Sequence, residues 1–121
     1  MQGAAIHHVS INVDDLAAAR SFYIERLGFV ERTDRPDLDV KGTWLDVGGQ
    51  QVHLIVGDVP PRMGQHFAVR VDDVDAAVAD LREHGVRVSD PVVVGTGRQC
   101  FLRDPCGNMI EIHEVGGAAR V

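Results

Sequence analysis

One phrase occurs twice in this chain and limits what it can fold into. His8-Val9-Ser10-Ile11-Asn12-Val13-Asp14-Asp15 returns as His66-Phe67-Ala68-Val69-Arg70-Val71-Asp72-Asp73, an offset of 66 − 8 = 58 residues. Each copy is a histidine, an alternating strand and a pair of aspartates. At the same offset Asp46 falls on Asp104, Gly49 on Gly107, and His53 on Glu111. Self-similarity at a fixed period marks a repeat architecture. The repeat carries four potential metal ligands, His8, His53, His66 and Glu111, in two matched pairs.

The local patterns give each half the same element order. In Ile6 to Val13, His8, Ser10 and Asn12 alternate with Val9, Ile11 and Val13, the period of a strand. Asp14 or Asp15 is placed to cap a helix striped by Leu16, Ala19, Tyr23 and Leu27 and closed by Gly28. Strands follow over 29–33, 42–47 and 50–56, the last two joined at Gly48-Gly49. The linker is 57–64, with Pro60-Pro61. The second half repeats the series. It has a strand over 65–71 and a helix on Val74, Val78 and Leu81 closed by Gly85. Strands follow at 86–89 (resuming at 92–94), 98–103 and 109–114. The tail from Gly116 to Val121 is expected to fray. A single domain over 1–121 is expected, built from repeats at about 6–57 and 65–115.

Bulk properties exclude several functions. A net charge of −6 argues against nucleic-acid binding, which needs a clustered basic face. No apolar run approaches the roughly 20 residues that span a bilayer, and Met1 to Ala5 lacks the regions of a signal peptide. No membrane association and a cytoplasmic location are the expectations. Cys100 and Cys106, without CxxC spacing, suggest neither a disulfide framework nor a zinc knuckle.

With these residues in view, the chain resembles the vicinal oxygen chelate superfamily of glyoxalases, bleomycin-resistance proteins and extradiol dioxygenases. The resemblance rests on His-x-x-x-x-Val-Asp-Asp opening each half, on Arg26-Leu27-Gly28-Phe29, and on Asp104-Pro105-Cys106-Gly107-Asn108-Met109-Ile110-Glu111. It runs from about Ile6 to Glu114. It implies an α+β fold of two tandem βαβββ modules whose mixed sheets form a cup around one divalent metal ion. By position, the ligands it implies are His8, His53, His66 and Glu111. Imidazoles with a carboxylate suit Fe, Ni, Zn, Co or Mn. In this reading the ion acts as a Lewis acid on two adjacent oxygens of a small substrate, stabilising an enolate, and Glu111 moves the proton. Ser10, Asn12, Arg70, Arg98, Phe101 and His113 are the expected substrate-binding residues, with Arg103 a further anion clamp.

Departures leave the subfamily open. His53 stands where glyoxalase I usually carries a carboxylate or amide, and no basic cluster for glutathione is evident. The leading expectation is a metal-dependent lyase or isomerase. A non-haem Fe(II) ring-cleaving dioxygenase and a metal-free drug-binding protein are the alternatives. The resemblance also implies a homodimer, whose pairing would cover open sheet edges.

Overall fold

A computed structural model describes residues 1–116; 117–121, most of the tail read as frayed, lie outside the described residues. The chain divides into two compact units, one over Met1–Pro61 and the other from Arg62 onward. The boundary falls inside the Pro60-Pro61 linker, as the breaker residues require.

The first unit runs β1 (His8–Val13), α1 (Leu16–Ser21), a π-helical turn (Phe22–Arg26), β2 (Val30–Glu31), β3 (Gly42–Val47) and β4 (Gln50–Val56). Its sheet has the order β1-β4-β3-β2, with β1 parallel to β4 and the other pairs antiparallel. The second unit runs β5 (His66–Arg70), α2 (Val74–Glu83), β6 (Val92–Val94), β7 (Gly97–Arg103) and β8 (Met109–Glu114). Its sheet order, β5-β8-β7-β6, is the same topology. Each unit is therefore one βαβββ module of an α+β fold.

The caps fall on the second aspartate of each pair. Asp15 accepts a hydrogen bond from the Ala18 N–H and Asp73 from the Ala76 N–H, each at the exposed start of its helix. The buried Glu114 carboxylate adds a bond from the Val74 N–H at 3.1 Å, setting an acid on the positive end of α2. α2 closes on Gly85 at φ 79°, with Val86 N–H bonding Leu81 O and Gly85 N–H bonding Arg82 O.

Three sequence expectations change. The first helix is not α-helical throughout: the Leu27 N–H reaches back five residues to Phe22 O, and the winding widens. From cap to closing glycine it takes 28 − 15 = 13 residues against 85 − 73 = 12 in α2. The π turn is the extra residue, and it lets Phe22 and Tyr23 both enter the core. Second, the strands read over 29–33 and 86–89 shrink. β2 keeps only two residues, and 86–89 contributes one isolated bridge, Val88 to Leu102.

Third, the match of Asp46 with Asp104 is a coincidence of numbering. Asp46 pairs with Gln51 while Arg103 pairs with Met109, so β3 maps on β7 by 103 − 46 = 57 and β4 on β8 by 109 − 51 = 58. The second hairpin carries one more turn residue, which restores the register that the π turn displaced. Asp104 is buried in that turn, accepting hydrogen bonds from the Cys106 and Asn108 N–H groups and from the Asn108 amide. This is the local side-chain bonding that aspartate favours.

Each core lies on one side of its sheet. Val13, Ala19, Phe22, Tyr23, Phe29, Leu45, Val52 and Leu54 form it in the first unit. Val74, Val78, Leu81, Val88, Cys100, Leu102, Ile110 and Ile112 form it in the second. Strand alternation then sends the intervening residues to the opposite face, and the polar candidates lie there. Among the described residues no helix is long and apolar enough to cross a membrane.

Candidate functional site

In the second unit the registers Ala68↔Glu111↔Phe101 and Arg70↔His113↔Gln99 place these side chains in rows on one face, with His66 and Met109 in the row before. A chain of contacts crosses the rows. His66 Nδ1 bonds the Gly64 carbonyl at 2.8 Å, and its Nε2 lies 3.2 Å from Glu111 Oε1. Glu111 Oε2 is 3.1 Å from His113 Nδ1. Phe101 stands edge-on to His66, with ring centroids 5.4 Å apart.

The first link fixes the chemistry of the second. A carbonyl oxygen only accepts, so His66 Nδ1 carries the proton, and in a neutral ring Nε2 is a bare lone pair. That lone pair faces a carboxylate oxygen. Only a proton or a cation between them makes the contact attractive. A backbone carbonyl on the outer nitrogen is also the usual arrangement behind a metal-bound imidazole. Two donors each about 2.1 Å from one ion are roughly 3.0–3.4 Å apart at octahedral or tetrahedral angles, so a 3.2 Å gap suits a shared divalent ion. The donor set and its spacing fit the metal that the resemblance implies.

The corresponding face of the first unit is built differently. Ser10↔His53↔Trp44 form one row and His8↔Gln51↔Asp46 the next. His8 and His53 stack with centroids 3.9 Å apart and planes 14° from parallel. Trp44 continues the column at 4.6 Å and 12° beyond His53, and His7 closes it edge-on to His8. His53 Nε2 lies 2.8 Å from Gln51 Oε1, and His8 Nδ1 shares a hydrogen bond of 2.8 Å with His7 Nδ1. Burial first, then the neighbouring His8, His7, Arg35 and Arg32, pushes His53 below its ordinary imidazole value. Rings 14° from parallel confine their in-plane lone pairs to nearly parallel planes. This pair therefore converges less well on a shared ion than His66 and Glu111 do. Within either unit taken by itself, no three His, Cys, Asp or Glu side chains among the described residues are gathered closely enough to hold a metal.

The remaining predicted residues divide. Ser10 is exposed beside His53, and Arg70 is exposed beside His113. Asn12 shares the face but donates to Asp58 O at 3.0 Å, fastening the chain where it leaves β4. Arg98 is corrected. It lies an odd three residues from Phe101, so alternation turns it to the helix side. There it grips Asp75 of α2 with two hydrogen bonds of 2.7 and 3.0 Å. Arg103 stays on the His66 row and donates to Gly107 O at 3.3 Å. Neither Cys100 nor Cys106 is in a disulfide among the described residues; Cys100 is buried, and desolvation pushes its thiol up.

Sequence reasoning missed two groups. Gln51 was findable, because it lies two residues before His53 on the same strand face. Gly97 gave no signal. A Cβ there would come within 2.7 Å of His113 Nε2, so its role is visible only in three dimensions.

Comparison with known proteins agrees with the fold. The family described as the Glyoxalase/Bleomycin resistance protein/Dioxygenase superfamily matches residues 5–112. The YaeR protein of Escherichia coli (strain K12) is 32% identical, over 90% of this chain and 95% of its own. Mitochondrial methylmalonyl-CoA epimerase of Bos taurus is 28% identical, over 87% of this chain and 70% of its own. Among solved structures, the antibiotic-binding protein TnmS3 from Streptomyces sp. CB03234 superposes with a TM-score of 0.78 at 32% identity. That match covers 95% of this chain and 98% of the other.

Proposed function

Since the chain belongs to the Glyoxalase/Bleomycin resistance protein/Dioxygenase superfamily, we propose that it is a divalent-metal-dependent lyase or isomerase of glyoxalase type acting on a small molecule. The observation that carries this is the His66 lone pair opposed to Glu111 Oε1 at 3.2 Å, with the outer His66 nitrogen tied to a backbone carbonyl. The donors proposed are His66 and Glu111 in the second unit and His8 and His53 in the first. A divalent ion, when bound, supplies Lewis acidity toward adjacent substrate oxygens.

The chain's own residues supply the rest. Glu111 has two oxygens, and the one facing His66 can accept or return a substrate proton beside the donors. The Arg70 guanidinium projects from the neighbouring strand as a forked donor for an anionic substrate group. Phe101 walls His66 on one side. The bovine relative is an epimerase and another relative, from Vibrio parahaemolyticus, a probable lactoylglutathione lyase. Their names support lyase or isomerase chemistry here. A homodimer in the cytoplasm belongs to the same proposal, and light scattering at micromolar concentration tests the dimer.

The deciding experiment is elemental analysis of protein purified without chelator, beside His66→Ala/Glu111→Gln and His8→Ala/His53→Ala double variants. About one divalent ion per chain, lost with the second-unit pair, is expected. Metal-free wild type after incubation with Ni(II), Zn(II), Co(II), Mn(II) and Fe(II) overturns the proposal. The second reading, a metal-free binding module, then takes its place. It is favoured by the likeness to TnmS3 and by the flat column of His8, His53 and Trp44, which suits a planar ligand.

A further inference from the structure

Resting on that metal-binding reading, we infer that His113 is a positioning residue that aims Glu111, and that Gly97 exists to admit its ring. Glu111 is a flexible carboxylate on a strand, and its usefulness as a donor depends on which way its two oxygens point. His113 stands two residues along β8 on the same face, and its Nδ1 holds Glu111 Oε2 at 3.1 Å. The other oxygen is thereby turned to His66 Nε2. A histidine whose Nδ1 donates to the carboxylate leaves that carboxylate charged and oriented, as partners behind metal ligands generally do. The His113 ring in turn lies against the start of β7. An added Cβ at residue 97 would sit 2.7 Å from Nε2 and 2.9 Å from Cε1, and 2.9 Å from the Glu114 carbonyl. Only glycine leaves the ring that place without moving it.

The arrangement is particular to the second unit. The position of His113 in β8 matches Ile55 in β4, since 113 − 58 = 55, and an isoleucine cannot hold a neighbouring side chain by hydrogen bonding. His53 is held instead from the row before, by Gln51.

The test is titration of metal-free protein with Co(II), following affinity and the visible absorption of the bound ion, with thermal melting of each metal-free variant alongside. His113→Ala is expected to weaken Co(II) about 10- to 100-fold at unchanged stoichiometry, with an altered visible spectrum and unchanged melting. His113→Asn, whose side-chain N–H can reach the same oxygen, is expected to recover most of the loss. Gly97→Ala is expected to weaken Co(II) in the wild type and to weaken it less beside His113→Asn, because the shorter side chain vacates the ring's place while the close approach to the Glu114 carbonyl stays the same. Three results overturn the inference while leaving the metal reading intact. One is His113→Ala binding within twofold of wild type. The second is a loss equally large in His113→Asn. The third is a loss matched by lowered melting of the metal-free variant, which would mean plain sheet packing. Wild type that takes up no Co(II) overturns the metal reading and the inference together.

Discussion

The two units share topology, cap placement and the rows on their polar faces, yet they hold their paired candidates by opposite means. In the first, His8, His53 and Trp44 are flat rings in contact through their faces, and burial pushes the His53 imidazole below its ordinary value. In the second, His66, Glu111 and His113 meet through nitrogen and oxygen atoms in a directed chain. The backbone that positions the pairs is the same. A common scaffold therefore fixes where a side chain stands, and the neighbours one row away decide what it can do. Gln51 and Trp44 make His53 part of a surface; His113 makes Glu111 an aimed donor.

If the scaffold is common, its disruption should cost the same in both halves. Leu54 and Ile112 are equivalent by the 58-residue offset and both are buried in the central strands β4 and β8. Leu54→Ala and Ile112→Ala should each lower stability by about 3 kcal/mol, measured by urea unfolding. A large inequality would show that the two cores are not equivalent.

Function should separate the halves. Glu111→Gln is expected to weaken a bound divalent ion at least about 100-fold, near 2.7 kcal/mol, whereas His53→Gln costs about tenfold. Calorimetric titration reads both, and equal losses would erase the contrast drawn between the pairs. Smaller effects belong to the caps: Asp15→Ala and Asp73→Ala should each cost about 1 kcal/mol, seen as lowered melting temperatures.

The smallest difference concerns acid. Glu31 accepts hydrogen bonds from Arg20 and from Thr43, and these, Arg20 first, hold its carboxyl below the ordinary value. A carboxylate lowered in the folded state stabilises fully above its unfolded value near 4.3, and the contribution disappears as pH falls through the lowered value. The pair is partly exposed, so the effect should stay below about 1 kcal/mol. Val88 stands at the matching place opposite Leu102 as Glu31 stands opposite Leu45. Glu31→Gln should therefore flatten the acid limb of stability between about pH 5 and 3, and Val88→Ala should leave its slope unchanged. Unfolding free energies across that range decide it.

The repeat itself was legible because periodicity, caps and breakers are local. Asp15, Asp73 and Gly85 act where their residue types place them, and the α+β modules follow. The candidate pairs were also legible as positions. Their contacts were not, because whether two side chains stack or hydrogen-bond depends on neighbours across strands. Arg98 shows a different failure: simple alternation from Phe101 already turns it to the helix side, and its charge drew attention away from its parity. The π turn was hidden because Leu16, Ala19, Tyr23 and Leu27 fit an ordinary helical stripe almost as well.

That turn has a consequence for any attempt to rebuild or trace the duplication. It lengthens the first half by one residue before β2, and the hairpin after β7 lengthens the second by one before β8. The two changes cancel, so the halves keep equal spacing while the stretches between them are out of step. A chimaera that joins the first helix of one copy to the β7–β8 hairpin of the other inherits both insertions, and a partner with neither inherits a deficit. One insertion lies in the helix and the other in a turn, and the strands beside them pair alike in both units, so each is absorbed where it occurs: exchanging either element changes a module's length by one residue and leaves the register of its strands as it was.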